Sequence, residues 1–310
     1  METYKSGSRL EKVLRSGQFA FTGECGPPKG SNVSHLKEKF SHLRQIVDAV
    51  NITDNQTAVV RMSSLAASAI LVSEGMEPNY QLVCRDRNRL ALMSDILGAA
   101  SLGIRNMLCL SGDHQKFGNH PESKNVFDID SMQLIALVKT MRDEGLFPNG
   151  ENIDEPPKLF IGAAANPFAD PFDYRICRLA AKVAAGADFI QTQCIYNMDK
   201  FRTYMKMAVD MGLTERCYIL AGVTPLKSFR MAQYMAANVP GMDVPETVLK
   251  RIEGAGKGNY AEEGIKITLE QIEEFKETRG VAGVHLMAIE WEHRVPEIAQ
   301  RANLVPRPEV

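Results

Sequence analysis

Short runs of apolar and β-branched residues alternate along the chain with longer segments in which apolar residues recur every three or four positions. The short runs are typical of buried β-strands, and the longer segments have the period of amphipathic helices. The predicted strands are 19–25, 48–54, 80–85, 106–111, 158–164, 188–195, 217–223 and 281–289. The predicted helices are 34–47, 63–75, 87–103, 130–145, 173–186, 198–212, 228–238, 245–254, 260–279 and 295–302.

The alternation of strands and helices predicts the fold class. Strands that alternate with helices form a parallel sheet, and eight such units in 310 residues are typical of a closed (β/α)8 TIM barrel. We therefore expect an α/β fold with a single domain over 1–310 and short extra helices near the C-terminus. An open, doubly wound sheet is the alternative. The polar segment 113–130 is predicted to be a long loop after the fourth strand.

Composition narrows the class of protein. With 45% hydrophobic residues, 24% charged residues and a net charge of −2, the chain offers no electrostatic reason to bind nucleic acid or an anionic membrane. No apolar run is long enough for a spanning helix, and the first residues lack the apolar core of a signal peptide, so we expect a cytoplasmic protein. Five of the six cysteines fall in apolar strand-like runs without metal-ligand spacing, so we expect free, buried thiols and no metal site.

Polar residues at the ends of the predicted strands are the candidates for a site, because the active sites of such barrels lie at the C-terminal ends of the strands. Glu24 ends the first strand and precedes Pro27 and Pro28, and Asp113 follows the fourth strand. These two carboxylates would face one mouth from nearly opposite parts of the ring. Gln193 lies within an apolar strand, where a side-chain amide must find a partner in the protein or in a ligand.

Other familiar sites are absent from the sequence. It contains no Walker phosphate loop, and no G-x-G-x-x-G motif joins a strand to a helix. No serine or cysteine can be paired with a nearby histidine as a nucleophilic triad. The six histidines are scattered, and we expect most of them at the surface.

Five ordered motifs give the chain a family resemblance. They are the strand-1 acid followed by Pro27-Pro28, C-R-D-R-N-R-L-A-L at 84–92 with L-G-A-A-S-L-G-I-R-N at 97–106, S-G-D at 111–113, A-A-N-P at 164–167 and G-A-D-F-I-Q-T-Q at 186–193. Together they resemble the methylenetetrahydrofolate reductase family over roughly residues 19–300. The resemblance implies a (β/α)8 barrel that holds a flavin at its strand C-termini. It also implies reduction of 5,10-methylenetetrahydrofolate to 5-methyltetrahydrofolate by hydride from the reduced flavin.

The resemblance assigns a role to each matched residue. Glu24 matches the general acid that opens the imidazolidine ring of the folate, and Asp113 matches an aspartate between flavin and pterin. Gln193 and Phe229 match substrate contacts. Residues expected to hold the flavin are Gln81, Asn166 and Lys182, with Ser111, Gly112 and Asp113 after strand 4 and Thr53, Asn55 and Ser63 as weaker candidates. Lys182 would pair with a cofactor phosphate.

Three departures from the family pattern leave the cofactor and the electron donor open. Cys25-Gly26 and Cys194-Ile195-Tyr196 stand where many members have aromatic residues, and Ser111 stands where an arginine is frequent. FAD is expected, with FMN as the alternative. The donor is NAD(P)H or an iron–sulfur partner protein, and we expect an oligomer. The alternative functions are a pterin-binding methyltransferase barrel that passes a methyl group from methyltetrahydrofolate to a corrinoid, and a non-catalytic subunit of a larger redox assembly.

Overall fold

A computed structural model describes residues 4–239 and 241–310, and eight parallel strands close into a barrel within them. The strands are β1 Ala20–Cys25, β2 Ala49–Ile52, β3 Pro78–Val83, β4 Asn106–Leu110, β5 Phe160–Ala165, β6 Phe189–Cys194, β7 Tyr218–Val223 and β8 Val281–Leu286. The ring closes where β1 pairs with β8, with Ala20 opposite Gly283. The predicted (β/α)8 barrel is confirmed, and the open sheet is excluded. Each predicted strand end agrees with the structure to within three residues.

The helices surround the barrel. They are α1 Arg9–Arg15, α2 Val33–Ser41, α3 Ser64–Ser73, α4 Arg89–Ser101, α5 Ser131–Asp143, α6 Phe172–Ala185, α7 Met198–Asp210, α8 Phe229–Asn238, α9 Glu246–Gly254, α10 Tyr260–Glu277 and α11 Val295–Arg301. The helix predicted at 34–47 ends early, at Ser41, and turns follow it. Gln45 within those turns has φ 61°, a left-handed conformation that a helix does not contain. No helix in the described part of the chain is long and apolar enough to cross a membrane.

Helix α1 was missed by the sequence analysis, and it closes the bottom of the barrel. The Ser8 hydroxyl caps its N-terminus by accepting a hydrogen bond from the backbone of Glu11. Leu10, Val13 and Leu14 form one apolar cluster with residues of the strands, namely Ala20, Ala49, Leu108, Phe160, Phe189 and Leu220. The N-terminal end of the barrel is therefore an apolar floor.

Above this floor the barrel interior becomes polar. Successive residues of a strand point to opposite faces, so Thr22 and Glu24 of β1 both face the interior. A buried polar layer lies above the floor and is formed by Thr22, Asn51, Asn79, Gln191 and His285. The next positions along the strands, such as Glu24, Gln81 and Gln193, reach the mouth.

Both ends of the described chain are attached to one carboxylate on the face opposite the mouth. Asp48 precedes β2 and accepts a hydrogen bond from the backbone of Phe21 at 2.9 Å. It also accepts hydrogen bonds from Nε of Arg9 at 3.2 Å and from Nε of Arg307 at 3.1 Å. The Arg9 guanidinium donates in addition to the carbonyl of Pro308 at 2.7 Å.

The cysteines are free, as expected, and five of them are buried. Cys177, on α6, is the exposed one. Burial raises the pKa of the Cys84 and Cys194 thiols to about 12, so these two remain protonated at neutral pH. The buried cysteines therefore behave as small apolar residues.

Candidate functional site

A cavity of about 460 Å³ opens at the C-terminal ends of the strands. Its volume lies within the range typical of small-molecule sites. Five residues singled out from the sequence line it: Glu24, Gln81, Asn166, Lys182 and Gln193. Residues that the sequence analysis did not assign to a site also line it, among them Arg175, Arg178, Tyr204, Met287, Asn51, Gln191 and His285.

Glu24 lies at the end of β1 with its side chain 20% exposed. Its carboxylate oxygen Oε2 is 3.7 Å from Nε2 of His285 on β8. Cys25, the next residue, points away into the core between strands and helices. The strand thus delivers the carboxylate to the cavity, where it can exchange a proton with a bound molecule.

His285 is one of the cavity residues that the sequence analysis missed. The side chain is 3% exposed, whereas His35, His114, His120 and His293 are exposed, as expected for most of the histidines. The sequence did contain a signal for this residue, namely a histidine within an otherwise apolar strand. The same kind of signal, a polar residue in an apolar strand, singled out Gln193.

Gln193 occupies an irregular part of β6. The pairing of β6 with β7 shifts register between Gln191 and Cys194, which is a bulge that re-aims the side chains within it. Oε1 of Gln193 accepts a hydrogen bond from the backbone of Cys194 at 3.2 Å. Its NH₂ group makes no hydrogen bond to any other described residue, so both of its N–H donors are available to a ligand.

Gly222 of β7 makes this bulge possible. A Cβ at Gly222 would lie 2.2 Å from the carbonyl oxygen of Thr192 and 2.9 Å from that of Gln193. The backbone of Gly222 also donates to Oγ1 of Thr192 at 2.8 Å. A side chain at this position would displace the backbone that carries Gln193.

One side of the cavity is cationic. Arg178 and Lys182 lie four residues apart on α6, and both line the cavity. Burial, with a smaller contribution from Arg178, lowers the pKa of Lys182 to about 8, and its Nζ donates to the carbonyl of Ala164. Neither cation lies within 4.0 Å of a carboxylate of the described residues. Two half-buried cations without a carboxylate partner in the described part of the chain favour an anionic ligand.

Tyr204 of α7 adds a hydroxyl to this side. The residue is 1% exposed, and burial raises the pKa of its phenol. Its hydroxyl has no hydrogen-bond partner within 4–239 and 241–310, although it lines the cavity. The neighbouring Arg175 instead donates to the carbonyl of Ala169 at 2.5 Å.

Asn166 lies where the loop after α8 meets the cavity. Its Oδ1 accepts a hydrogen bond from the backbone of Phe168 at 3.2 Å. A Cβ at Gly241, whose φ is 73°, would lie 2.2 Å from Nδ2 of Asn166. Gln81 is 8% exposed, and its side-chain amide makes no hydrogen bond to another residue in the described part of the chain.

Asp113 does not line the cavity. Its carboxylate is exposed and accepts a hydrogen bond from the backbone of Thr57 at 3.1 Å, and its carbonyl accepts one from Arg85 at 3.0 Å. Thr57 and its neighbour Ala58 both have left-handed φ, at 54° and 57°. Asp113 therefore fixes a strained turn between β2 and α3 in this structure.

The other predicted residues that lie outside the cavity make local contacts. The Thr53 hydroxyl donates to Gln56 at 2.6 Å, Asn55 accepts from the backbone of Arg61 at 2.9 Å, and Ser63 caps α3. The Ser111 hydroxyl accepts from the backbone of Ser131 at 3.2 Å, and Gly112 has φ 90°. Phe229, at the start of α8, packs in a separate apolar cluster around Leu226 and Met235.

The fold and cavity together define a (β/α)8 barrel with a cavity of small-molecule size at its mouth. The family model for methylenetetrahydrofolate reductase matches residues 9–303, and the chain belongs to this family. A relative named "Probable methylenetetrahydrofolate reductase (NADPH)" from Caenorhabditis elegans is 22% identical over 96% of this chain and 44% of its own length. A "5,10-methylenetetrahydrofolate reductase" from Pectobacterium carotovorum is 22% identical over 77% of this chain and 74% of its own.

Solved structures share the fold at low sequence identity. A protein from Clostridium thermocellum, described as binding two copies of 5-methyl-5,6,7,8-tetrahydrofolic acid, has a TM-score of 0.62 at 13% identity and covers 96% of this chain and 99% of its own. The EDTA monooxygenase of Chelativorans sp. BNC1 has a TM-score of 0.56 at 9% identity, with coverage of 94% and 95%. The chain spans less than half the length of several curated relatives that it matches.

Proposed function

We propose that the protein is a flavin-dependent reductase that converts 5,10-methylenetetrahydrofolate to 5-methyltetrahydrofolate. Family membership supports the reaction class. The observation that carries the proposal is the placement of Glu24 at the cavity, beside His285 and in the same mouth as Gln193. A protonatable carboxylate and a free amide are the groups that ring opening and pterin recognition require.

The cavity fits a flavin in its chemistry. Among the described residues, Arg178 and Lys182 have no carboxylate partner and the Tyr204 hydroxyl has no hydrogen-bond partner, so this side would hold a phosphate. Gln81 and Asn166 supply amides to the ring system. The bound flavin would supply the hydride. We propose FAD, with FMN as the alternative, since both carry a phosphate at the end of the ribityl chain of the same ring system.

The residues of the chain would act on the folate. Glu24 would donate a proton to N10, which breaks the bond between N10 and the bridging carbon and makes that carbon electrophilic. Gln193 would hold the pterin with its free N–H donors. Asp113 and Phe229 remain predicted substrate contacts. In this structure the Asp113 carboxylate is held by the backbone of Thr57.

The experiment that tests the proposal separates the two halves of the reaction. The purified protein is loaded with FAD or FMN, the flavin is reduced anaerobically with dithionite, and 5,10-methylenetetrahydrofolate is added. We expect the yellow absorbance to return with stoichiometric formation of 5-methyltetrahydrofolate. Failure to bind either flavin, or a bound flavin that the folate does not reoxidise, would contradict the proposal. Methyl transfer to a corrinoid without any flavin would support the methyltransferase instead.

The electron donor and the assembly are tested on the same preparation. NADH, NADPH and a reduced ferredoxin-type protein are compared as reductants of the bound flavin. An NAD(P)H-dependent enzyme reduces its flavin with one of the nicotinamides alone. An enzyme that needs an iron–sulfur partner is reduced only by the protein donor. We propose that the protein is an oligomer, which light scattering of the flavin-loaded protein tests.

A further inference from the structure

Arg85 lies just after β3, at the point where three loops of the barrel mouth meet. Its side chain is 3% exposed, and its guanidinium donates to the carbonyl of Asn55 at 3.3 Å and to the carbonyl of Asp113 at 3.0 Å. It also donates to the carboxylate of Asp86 through two hydrogen bonds of 2.7 Å. Asn55 lies in the loop after β2, and Asp113 lies in the loop after β4. One buried cation therefore connects the loops that follow three neighbouring strands.

Each residue of the segment 111–113 contacts Arg85. The backbone N–H of Arg85 donates to the carbonyl of Ser111 at 3.0 Å, and the guanidinium donates to the carbonyl of Asp113. Between these two contacts, a Cβ at Gly112, whose φ is 90°, would lie 3.1 Å from Cβ of Arg85 and 3.2 Å from Cβ of Val83. Gly112 therefore allows the end of β4 to approach Arg85 closely. The motifs C-R-D at 84–86 and S-G-D at 111–113 pack on each other in this way.

The charge of Arg85 is balanced by Asp86. The hydrogen bonds to Asp86 raise the pKa of Arg85, and although burial raises the pKa of Asp86, the hydrogen bonds from Arg85 lower it below its ordinary value. Both groups are therefore ionised at neutral pH. Because Asp86 already neutralises the guanidinium, Arg85 does not need the carboxylate of Asp113 as a counter-ion. The negative charge of Asp113 is thus available to a ligand.

The side chain of Asp113 can move without its backbone. The carboxylate is exposed and accepts a hydrogen bond from the backbone of Thr57 at 3.1 Å, whereas the hydrogen bond from Arg85 goes to the carbonyl. A rotation about the Cα–Cβ bond moves the carboxylate and leaves the carbonyl in place. Leu110, three residues before Asp113, lines the cavity. Arg85 therefore fixes the backbone of Asp113 close to the cavity and leaves the carboxylate able to turn.

We propose that Arg85 is a positioning residue that holds the backbone of Asp113 so that the carboxylate can turn from Thr57 toward the pterin. The inference rests on the proposed function, in which Asp113 is a predicted contact of the folate. Arg85 itself does not line the cavity of the described chain, so it acts on the folate through Asp113. When the folate binds, Asp113 exchanges its hydrogen bond with Thr57 for one with the pterin.

The test is a double-mutant cycle of Arg85 and Asp113. Each variant is loaded with flavin and reduced with dithionite, and the reoxidation rate is measured at increasing concentrations of 5,10-methylenetetrahydrofolate. We expect Arg85→Met and Asp113→Asn each to raise the half-saturating concentration by about tenfold, as for a lost hydrogen bond to a charged group. The combined variant should show the loss of Asp113→Asn alone, because no carboxylate is then left to position. A merely structural role of Arg85 predicts that the two losses multiply.

Further variants separate positioning from a loss of structure. Arg85→Lys keeps the charge beside Asp86, but an ammonium cannot reproduce the planar set of hydrogen bonds, so its cycle with Asp113→Asn carries the test if Arg85→Met does not fold. Arg89→Met is the matched control, because the exposed Arg89 binds Asp128 of the same long loop at 2.8 Å. It should keep the half-saturating concentration of the parent.

Chemical rescue gives an independent readout. Arg85→Ala leaves a space into which a free guanidinium ion fits beside Asp86. Guanidinium chloride at about 50 mM, far below the molar concentrations that unfold proteins, should restore the half-saturating concentration at least in part. Urea and sodium chloride at the same concentration should not restore it, because urea has the shape without the charge and sodium has the charge without the hydrogen bonds.

Losses that multiply in the cycle would overturn the inference, and so would a loss in Arg89→Met equal to that in Arg85→Met. An unchanged half-saturating concentration in Asp113→Asn would also overturn it, since Arg85 would then have no folate contact to position. If the flavin of the parent protein is not reoxidised by the folate, the proposed function itself fails. That result is visible before any variant is made.

Discussion

Arg178 and Lys182 are separated by one turn of α6 and line the same cavity, and the pKa of Lys182 is lowered to about 8 by burial and by this neighbouring cation. Two neighbouring cations in a poorly solvated site repel each other, and this raises the free energy of the protein unless an anion binds between them. We therefore expect this pair to bind an anion, such as the phosphate of a flavin.

Removing either cation should weaken flavin binding. We expect Lys182→Met and Arg178→Met each to raise the dissociation constant of the flavin by about tenfold or more, since each loses a charged hydrogen bond. Fluorescence titration of the apoprotein with FMN and FAD measures the change. Lys206→Met is the matched control, because Lys206 is exposed on α7 and pairs with Asp210. An unchanged affinity in both cavity variants would place the phosphate elsewhere.

Flavin affinity should also depend on pH through Lys182. A bound phosphate favours the protonated amine, so the pKa of Lys182 is higher in the complex than in the free protein, where it is about 8. The contribution of Lys182 is therefore complete below about pH 8 and is lost as the pH rises beyond it. Titrations between about pH 7 and pH 10 should show the decline, and Lys182→Met should not show it over the same range.

Glu24→Gln should uncouple the two half-reactions. Because an amide cannot donate an acidic proton to N10, we expect reoxidation by the folate to slow by a factor of about 10² or more, while dithionite still reduces the flavin at the parental rate. Stopped-flow absorbance measures both rates. Glu290→Gln is the control, since Glu290 is exposed and bound to Lys39 outside the cavity. Equal folate rates for Glu24→Gln and the parent would remove Glu24 from the chemistry.

Asp113→Asn should distinguish the predicted pterin contact from the observed loop contact. Asparagine keeps an oxygen that can accept from the backbone of Thr57, but it removes the charge. If Asp113 contacts the pterin, we expect weaker folate binding at an unchanged melting temperature. Asp113→Ala should in addition release the turn at Thr57, which limited proteolysis would detect. Unchanged folate binding in both variants would leave Asp113 as a structural residue.

Gly222→Ala should damage the bulge that carries Gln193. The new methyl group would meet the carbonyl of Thr192, so we expect a loss of about 1–3 kcal/mol in the free energy of unfolding, together with weaker folate binding. Chemical denaturation and folate titration measure the two effects. Gly98→Ala is the control, because a Cβ at Gly98 in α4 meets nothing within 4 Å and should be neutral or stabilising by about 0.5–1 kcal/mol.

The barrel could be predicted from the sequence because its strands and helices differ in hydrophobic period. Helix α1 was missed because it is short and precedes the first strand, although Leu10, Val13 and Leu14 have helical spacing behind the Ser8 cap. The alternation of strands and helices does not predict what its apolar face contacts, because the residues that contact it come from strands far along the chain. These residues meet only when the barrel closes.

The site could be predicted in part, because strand ends are visible in the sequence whereas loop paths are not. Residues at the ends of β1, β5 and β6, such as Glu24, Asn166 and Gln193, do line the cavity. Thr53 and Ser63 lie on the segment between β2 and α3. Residues with a left-handed φ determine the path of the backbone there, and the sequence pattern does not predict that path. His285 was missed because its partners come from β1, β2 and β6.

The attachment of Arg9 and Arg307 to Asp48 has a practical consequence. Because both ends of the described chain meet beneath the barrel, an affinity tag or a fluorescent label joined after Val310 would project away from the mouth. This chain can therefore be tethered to a sensor surface through residue 310 with the cavity facing the solution. In that orientation flavin, folate and a protein reductant can be added in turn to the same immobilised molecules.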